Sequence, residues 1–280
     1  MRRLLLLACL ALAPATARAA GGMSADGRLS WDPGDAAVTI NKRSGFSARG
    51  QKIALPALAK DAKRRVVFPI RGDRFAVLDA ADDAVGLHQN SPRGARGALA
   101  VVTGATLRLL NLRGRVLWTK RLPETHTVGG EAGVEPLTVG ADGSSALLLQ
   151  DVDPYSKAKP FILVLDPKGK DVLRLDYTSW SRVDEMLLSD DGKWLIVRGI
   201  GRIPADDAWG TALGHYRLED GDAAVFPTPK ASGAKSLRAV DAKGWACCLL
   251  EGKILSAVDH DGGRDPVPFG ELGKRFGVKQ

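Results

Sequence analysis

Ser189-Asp190-Asp191-Gly192-Lys193-Trp194-Leu195-Ile196-Val197 is a polar turn that reaches glycine and runs straight into large apolar residues. Glycine accepts positive φ without steric cost, so the stretch predicts a hairpin turn feeding a buried strand. The arrangement recurs along the chain. Gly97 precedes Ala98-Leu99-Ala100-Val101-Val102, Asp142-Gly143 precedes Ala146-Leu147-Leu148-Leu149, and Lys243-Gly244 precedes Trp245-Ala246-Cys247-Cys248-Leu249-Leu250. The four glycines are 46, 49 and 52 residues apart.

A second hairpin trails each of these strands. Its strands are Leu107-Arg108-Leu109-Leu110, Phe161-Ile162-Leu163-Val164-Leu165, His215-Tyr216-Arg217-Leu218 and Ile254-Leu255-Ser256-Ala257-Val258. They run into turns at Gly114, Gly169, Gly221 and Gly262. Each unit thus supplies about four strands. Units of 40–50 residues with four strands each are the mark of propeller blades. Weaker strands at Ala37–Ile40, Ile53–Leu55, Val66–Phe68 and Phe75–Leu78 make one further blade. The expected fold is all-β, a β-propeller of four-stranded blades, five in number, with six or seven as alternative counts.

Met1-Arg2-Arg3, the apolar run Leu4–Ala13 and Ala17-Arg18-Ala19 have the layout of a secretory leader with an A-x-A cleavage site. The run is shorter than the roughly 20 residues that span a bilayer. Cleavage is expected after Ala19, leaving residues 20–280 as a single domain in the periplasm or outside the cell. The leader holds Arg2, Arg3 and Arg18 and no acid, so the rest of the chain carries +5 of the total +8. That mild excess, with no long basic run, argues against a nucleic-acid partner. Lys63-Arg64-Arg65 is the one compact basic cluster, read as a solvated strand end or as an attraction for anionic envelope groups.

The stretch Leu109-Leu110-Asn111-Leu112-Arg113-Gly114-Arg115-Val116-Leu117-Trp118 resembles the quinoprotein-type repeat, in which a strand ends at glycine and tryptophan follows four residues later. The whole pattern resembles WD40-like and quinoprotein-like propellers of the bacterial envelope. Leu173 and Val225 stand where the other units would carry that tryptophan. Cys247-Cys248 resembles the adjacent cysteines of quinoprotein alcohol dehydrogenases, whose disulfide packs on the quinone. This chain is far shorter, and the pair falls inside an expected strand. Cysteine there reads as a small buried hydrophobe.

The short turns share one end of such a ring, and longer connections share the other. The expected long connections are residues 121–133, 151–160, 178–182 and 199–214. They carry Glu124, His126, Glu131, Asp151, Asp153, Tyr155, Lys157, Trp180, Arg182, Arg202, Asp206, Asp207 and Trp209. Loops on a rigid scaffold concentrate function, and Trp, Tyr and Arg anchor binding surfaces. The candidate binding residues are Glu124, His126, Asp151, Asp153, Tyr155, Trp180, Arg182 and Trp209.

Catalytic patterns are sparse. His88, His126, His215 and His260 lack zinc spacing, and no Gly-x-Ser-x-Gly elbow occurs. Asp151-Val152-Asp153 reads as turn chemistry rather than a calcium loop. The expectation is a non-catalytic exported propeller without a cofactor, binding a protein or envelope glycan through its long-loop end. The alternative is a small propeller enzyme, either a quinone- or calcium-dependent oxidoreductase or a glycan-active one.

Overall fold

The computed structural model describes residues 22–23, 29–41, 50–60, 62–69, 73–81, 105–122, 126–128, 137–151, 161–176, 179–205, 207–227, 236–249, 255–259, 263–266 and 275. These form five sheets, each built from strands consecutive in sequence. The first holds β1 (Gly22–Met23), β2 (Leu29–Trp31), β3 (Ala37–Ile40) and β4 (Gln51–Ala54). The second holds β5 (Ala62–Val67), β6 (Arg74–Ala81), β7 (Thr106–Asn111) and β8 (Val116–Arg121). The third holds β10 (Leu137–Val139), β11 (Ser145–Asp151), β12 (Phe161–Leu165) and β13 (Asp171–Asp176), and a short β9 (His126–Val128) also pairs with β11. The fourth holds β14 (Trp180–Leu188), β15 (Trp194–Ile203), β16 (Ala208–Arg217) and β17 (Ala223–Pro227). The fifth holds β18 (Ser236–Val240), β19 (Ala246–Leu249), β20 (Leu255–Val258) and β21 (Arg264–Pro266). Each is an open antiparallel meander, and the architecture is propeller-like.

Packing runs from each sheet to the next. Successive residues of a strand point to opposite faces. In β11, Leu147 and Leu149 pack toward the second sheet with Leu107 and Leu109, while Ala146 and Leu148 pack toward the fourth with Trp180 and Leu195. One core joins the first two sheets through Trp31, Ile53, Phe75 and Leu110. Another joins the last two through Trp194, Ile196, Leu213 and Leu237. The outer strands β8 and β13 alternate between exposed and half-buried residues, whereas β10 is wholly buried.

Six turn glycines with positive φ gather at one end of the sheets: Gly114, Gly143, Gly169, Gly192, Gly221 and Gly244. Three of these turns share one build. In Asp166–Lys170 the Gly169 N–H donates to the Asp166 carbonyl, and the Asp166 side chain accepts from the Lys168 and Lys170 N–H groups. Asn111 and Asp241 do the same in their own turns. An Asx residue therefore sets the turn, and glycine closes it in the left-handed region.

Those glycines also receive the preceding sheet. A Cβ on Gly169 would lie 2.9 Å from the Trp118 ring, and one on Gly244 would lie 2.5 Å from the Trp194 ring. Trp118 donates its indole N–H to the Pro167 carbonyl at 3.0 Å. The tryptophan four residues after Gly114 thus caps the outer turn of the next sheet. By contrast, Gly221 has nothing within 4 Å of its missing Cβ.

Two sequence-based assignments change. Val66–Phe68 and Phe75–Leu78 were expected to share a blade with Ala37–Ile40, but β5 and β6 belong to the second sheet, where β6 pairs with β7. Gly97–Val102, read as that sheet's second strand, lies outside the described residues. Of residues 199–214, expected to be a long loop, 199–203 and 208–214 are strand, and in the same sheet Trp180, Ser181 and Arg182, expected in the 178–182 loop, open β14. β15 and β16 pair continuously from Trp194–Arg217 to Ile203–Ala208 around a tight turn.

Candidate functional site

The β15–β16 hairpin is the most extended feature of the described end opposite the glycine turns. β17 pairs with β16 only over Ala212–Tyr216, so Ala208–Thr211 run past it. The ladder of the fifth sheet starts at Ser236 and Leu249. Glu185 marks that level, accepting the Leu237 N–H at 2.6 Å and the Arg198 guanidinium at 3.0 Å. β15 continues five residues beyond Arg198, about 17 Å of extended chain.

Glycines shape the hairpin. Gly201 and Gly214 leave room for the Trp180 ring, to which their missing Cβ atoms would come within 3.1 and 2.6 Å. Trp180 is 4% exposed and donates its indole N–H to the Tyr216 hydroxyl at 2.7 Å. Burial pushes the Tyr216 phenol above its ordinary range, and the Trp180 hydrogen bond opposes that shift in part. Trp180 was expected on a binding surface. It lies instead in the core between the third and fourth sheets, because the glycine-lined hairpin offers a flat seat and Tyr216 satisfies its N–H.

Trp209 stands at the other extreme. It is 53% exposed, while the other five tryptophans are buried or half-buried. Its backbone partner across the hairpin is Arg202, so the two side chains leave the same face. Arg202 Nε donates to Asp207 Oδ1 at 2.7 Å, and both residues are exposed. Asp207 has φ 47°, the one positive value at a non-glycine among the described residues.

The other candidates distribute as follows. Arg182 lies on β14, half-exposed, with its guanidinium donating to Asp184 at 2.6 Å. His126 on β9 and Asp151 at the end of β11 are direct backbone partners, placing two predicted residues side by side at the same end. Glu124, Asp153 and Tyr155 lie outside the described residues. The basic cluster Lys63-Arg64-Arg65 is within β5 rather than beside a strand. Arg64 is paired with Asp79 at 2.6 Å, and Arg108 reaches the same carboxylate at 2.6 Å. Arg64 also donates to the Pro56 carbonyl, tying the first sheet's exit to the second.

Sequence reasoning missed that network. Its signal was an aspartate, Asp79, inside an otherwise apolar strand pattern. Cys247 and Cys248 fall in β19, and Cys247 is fully buried. A cleft of about 390 Å³ opens between the second and third sheets at their outer strands. Its polar lining is internally matched: Lys120 pairs with Asp171, and Arg174 lies 3.8 Å over the Phe161 ring. Among the described residues no group of three or more His, Cys, Asp or Glu could hold a metal ion. No described helix is long and apolar enough to cross a membrane.

No protein-family model matches the chain, and no curated protein matches it. Solved structures do. The β-propeller domain of the Trilobed protease from Pyrococcus furiosus matches 76% of this chain at 15% identity and TM-score 0.43. A protein designated TolB from Agrobacterium tumefaciens matches 88% of the chain at 14% identity and TM-score 0.45, over 79% of its own length. Dipeptidyl peptidase 4 of Porphyromonas gingivalis matches 89% at 13% identity and TM-score 0.48. The chain spans 58% of the protease propeller and 38% of the peptidase.

Proposed function

We propose that the chain is an exported, non-catalytic propeller that binds a protein or envelope component through the end opposite its glycine turns. The observation that carries this reading is the unequal build of the two ends. One end gathers compact turns that close on glycine, three of them opened by an Asx residue whose side chain accepts the turn's N–H groups. The other carries connections of unequal length and a hairpin that raises an exposed Trp209 beyond the neighbouring ladders. Rigid repeated turns suit a scaffold, and raised, unequal connections suit recognition. Export is inferred from the leader-like Met1–Ala19 segment.

The experiment is crosslinking in the intact host envelope, followed by purification of the tagged protein and identification of what it carries. A photo-crosslinker at Trp209 that captures a protein or glycan, with none captured from Lys168 at the turn end, supports the reading. Capture from Lys168 alone overturns the assignment of the end. Turnover of a sugar or alcohol that is lost in Asp151→Asn would replace the binding module with the enzyme alternative.

A further inference from the structure

We propose that the face of the β15–β16 overhang bearing Trp209, Arg202 and Asp207 is a saccharide platform, whose ligand is a neutral or N-acetylated pyranose chain. This rests on the assignment of that end as the binding end and narrows its ligand to one chemical class.

The arrangement of groups is the first argument. Trp209 and Arg202 are cross-strand partners, so their side chains leave one face of the hairpin. Asp207 lies in the turn just before β16, and its carboxylate meets the Arg202 guanidinium. The Arg202–Asp207 pair holds a planar guanidinium and a carboxylate on the side from which the indole projects. An indole offers a flat apolar surface with a polar edge. That matches the C–H face of a pyranose ring, while guanidinium donors and carboxylate acceptors match its hydroxyls.

Charge narrows the ligand further. Arg202 and Asp207 neutralise each other, so the platform does not select for a polyanion. Apolar area separates a sugar from a protein. Among the described residues the other large exposed hydrophobics are Leu58, Val116, Leu117 and Val172. They lie after β4, on β8 and on β13, away from the hairpin. Among those residues the indole stands alone beside charged groups, without the contiguous apolar core of a protein interface, and one indole suffices for ring stacking.

Rigidity is the third argument. The opposite face of the hairpin is braced by Trp180, which fills the space at Gly201 and is itself fixed by Tyr216. At the turn Asp207 takes the left-handed conformation, which aspartate adopts more readily than most residues, and its carboxylate meets Arg202.

Trp209 reports its own occupancy, because it is the tryptophan most open to solvent. The full chain without its leader is titrated with chitotetraose, cellotetraose and maltotetraose while iodide quenching of tryptophan fluorescence is followed. At least one tetrasaccharide is expected to shield Trp209 from iodide. By calorimetry, Trp209→Ala should weaken that binding at least about tenfold, with Trp209→Phe retaining most of it and Arg202→Ala weakening it. Far-UV circular dichroism should be unchanged in each, since these side chains are exposed. Failure of all three sugars to shield Trp209, or binding indifferent to Trp209→Ala, overturns the proposal. A photo-crosslinker at Trp209 separates the two readings. Capture of a protein there, with no sugar shielding, overturns the saccharide ligand and leaves the binding end standing. Capture only from the glycine-turn end overturns both.

Discussion

Replacing Gly244 with alanine probes how neighbouring sheets are spaced. Gly244 has φ 82°, and an added Cβ would meet Trp194 Cδ2 at 2.5 Å and Cε2 at 2.7 Å. Gly221 supplies the control, with φ 75° and nothing within 4 Å. Both substitutions force alanine into the left-handed region, at about 1–2 kcal/mol. Only Gly244→Ala must also displace a ring that is 8% exposed and packed between the last two sheets. Overpacking of that kind costs about 1–3 kcal/mol. The two variants should thus differ by about 1–3 kcal/mol, or roughly 2–12 °C in Tm for a domain of this size. Urea denaturation followed by circular dichroism measures the difference as a shift in midpoint at constant slope. In a double-mutant cycle, shortening Trp194 to leucine should remove the excess, leaving Gly244→Ala no worse than Gly221→Ala. Equal losses for Gly244→Ala and Gly221→Ala would refute the idea that the turn glycine is a spacer for the preceding sheet.

Asp79→Asn should cost about 3–5 kcal/mol in chemical denaturation, because it leaves the buried Arg64 and the partly buried Arg108 without their shared carboxylate. Trp180→Phe should destabilise the fold by about 1–3 kcal/mol by stranding the buried Tyr216 hydroxyl. The Tyr216 phenol is raised in the folded state, so its contribution is complete below the unfolded phenol's pKa of about 10 and falls as pH climbs from there toward the folded value. Stability measured across that alkaline range should fall less steeply in Tyr216→Phe, and an identical slope would count against the burial of this hydroxyl.

Much of the architecture was legible because its turns are written in local chemistry. Gly143, Gly169, Gly192 and Gly244 each follow Asp or Ser by one to three residues, and each adopts the positive φ that only glycine takes cheaply. The second sheet was misread because β6 and β7 are separated by residues 82–105, so a search at constant spacing settled on Gly97 instead of on β6. The fourth sheet was misread for a different reason. Gly199, Gly201, Gly210 and Gly214 look like a loop in sequence, but in the fold Gly201 and Gly214 make space for one distant ring, Trp180. The same blindness put Trp180 on the binding surface. Tryptophan in a polar, glycine-rich neighbourhood reads as exposed until the seat that receives it is seen. Trp209, eight residues from Gly201, is carried by β16 on the face opposite the one against which Trp180 packs from β14.

The division of each strand between two neighbours has a consequence for how the molecule comes apart. With Leu147 and Leu149 committed to one side and Ala146 and Leu148 to the other, the third sheet has no private core. Its free energy resides in its two interfaces, as in a stack whose members are coupled only to the next. Inner members of such a stack open only when two interfaces fail together, and an interface weakened at one seam loosens the sheets on both sides of it. Amide exchange should accordingly be slowest in β11, β12 and β15 and the protection lost by Gly244→Ala should be greatest in the fourth and fifth sheets, fading toward the first.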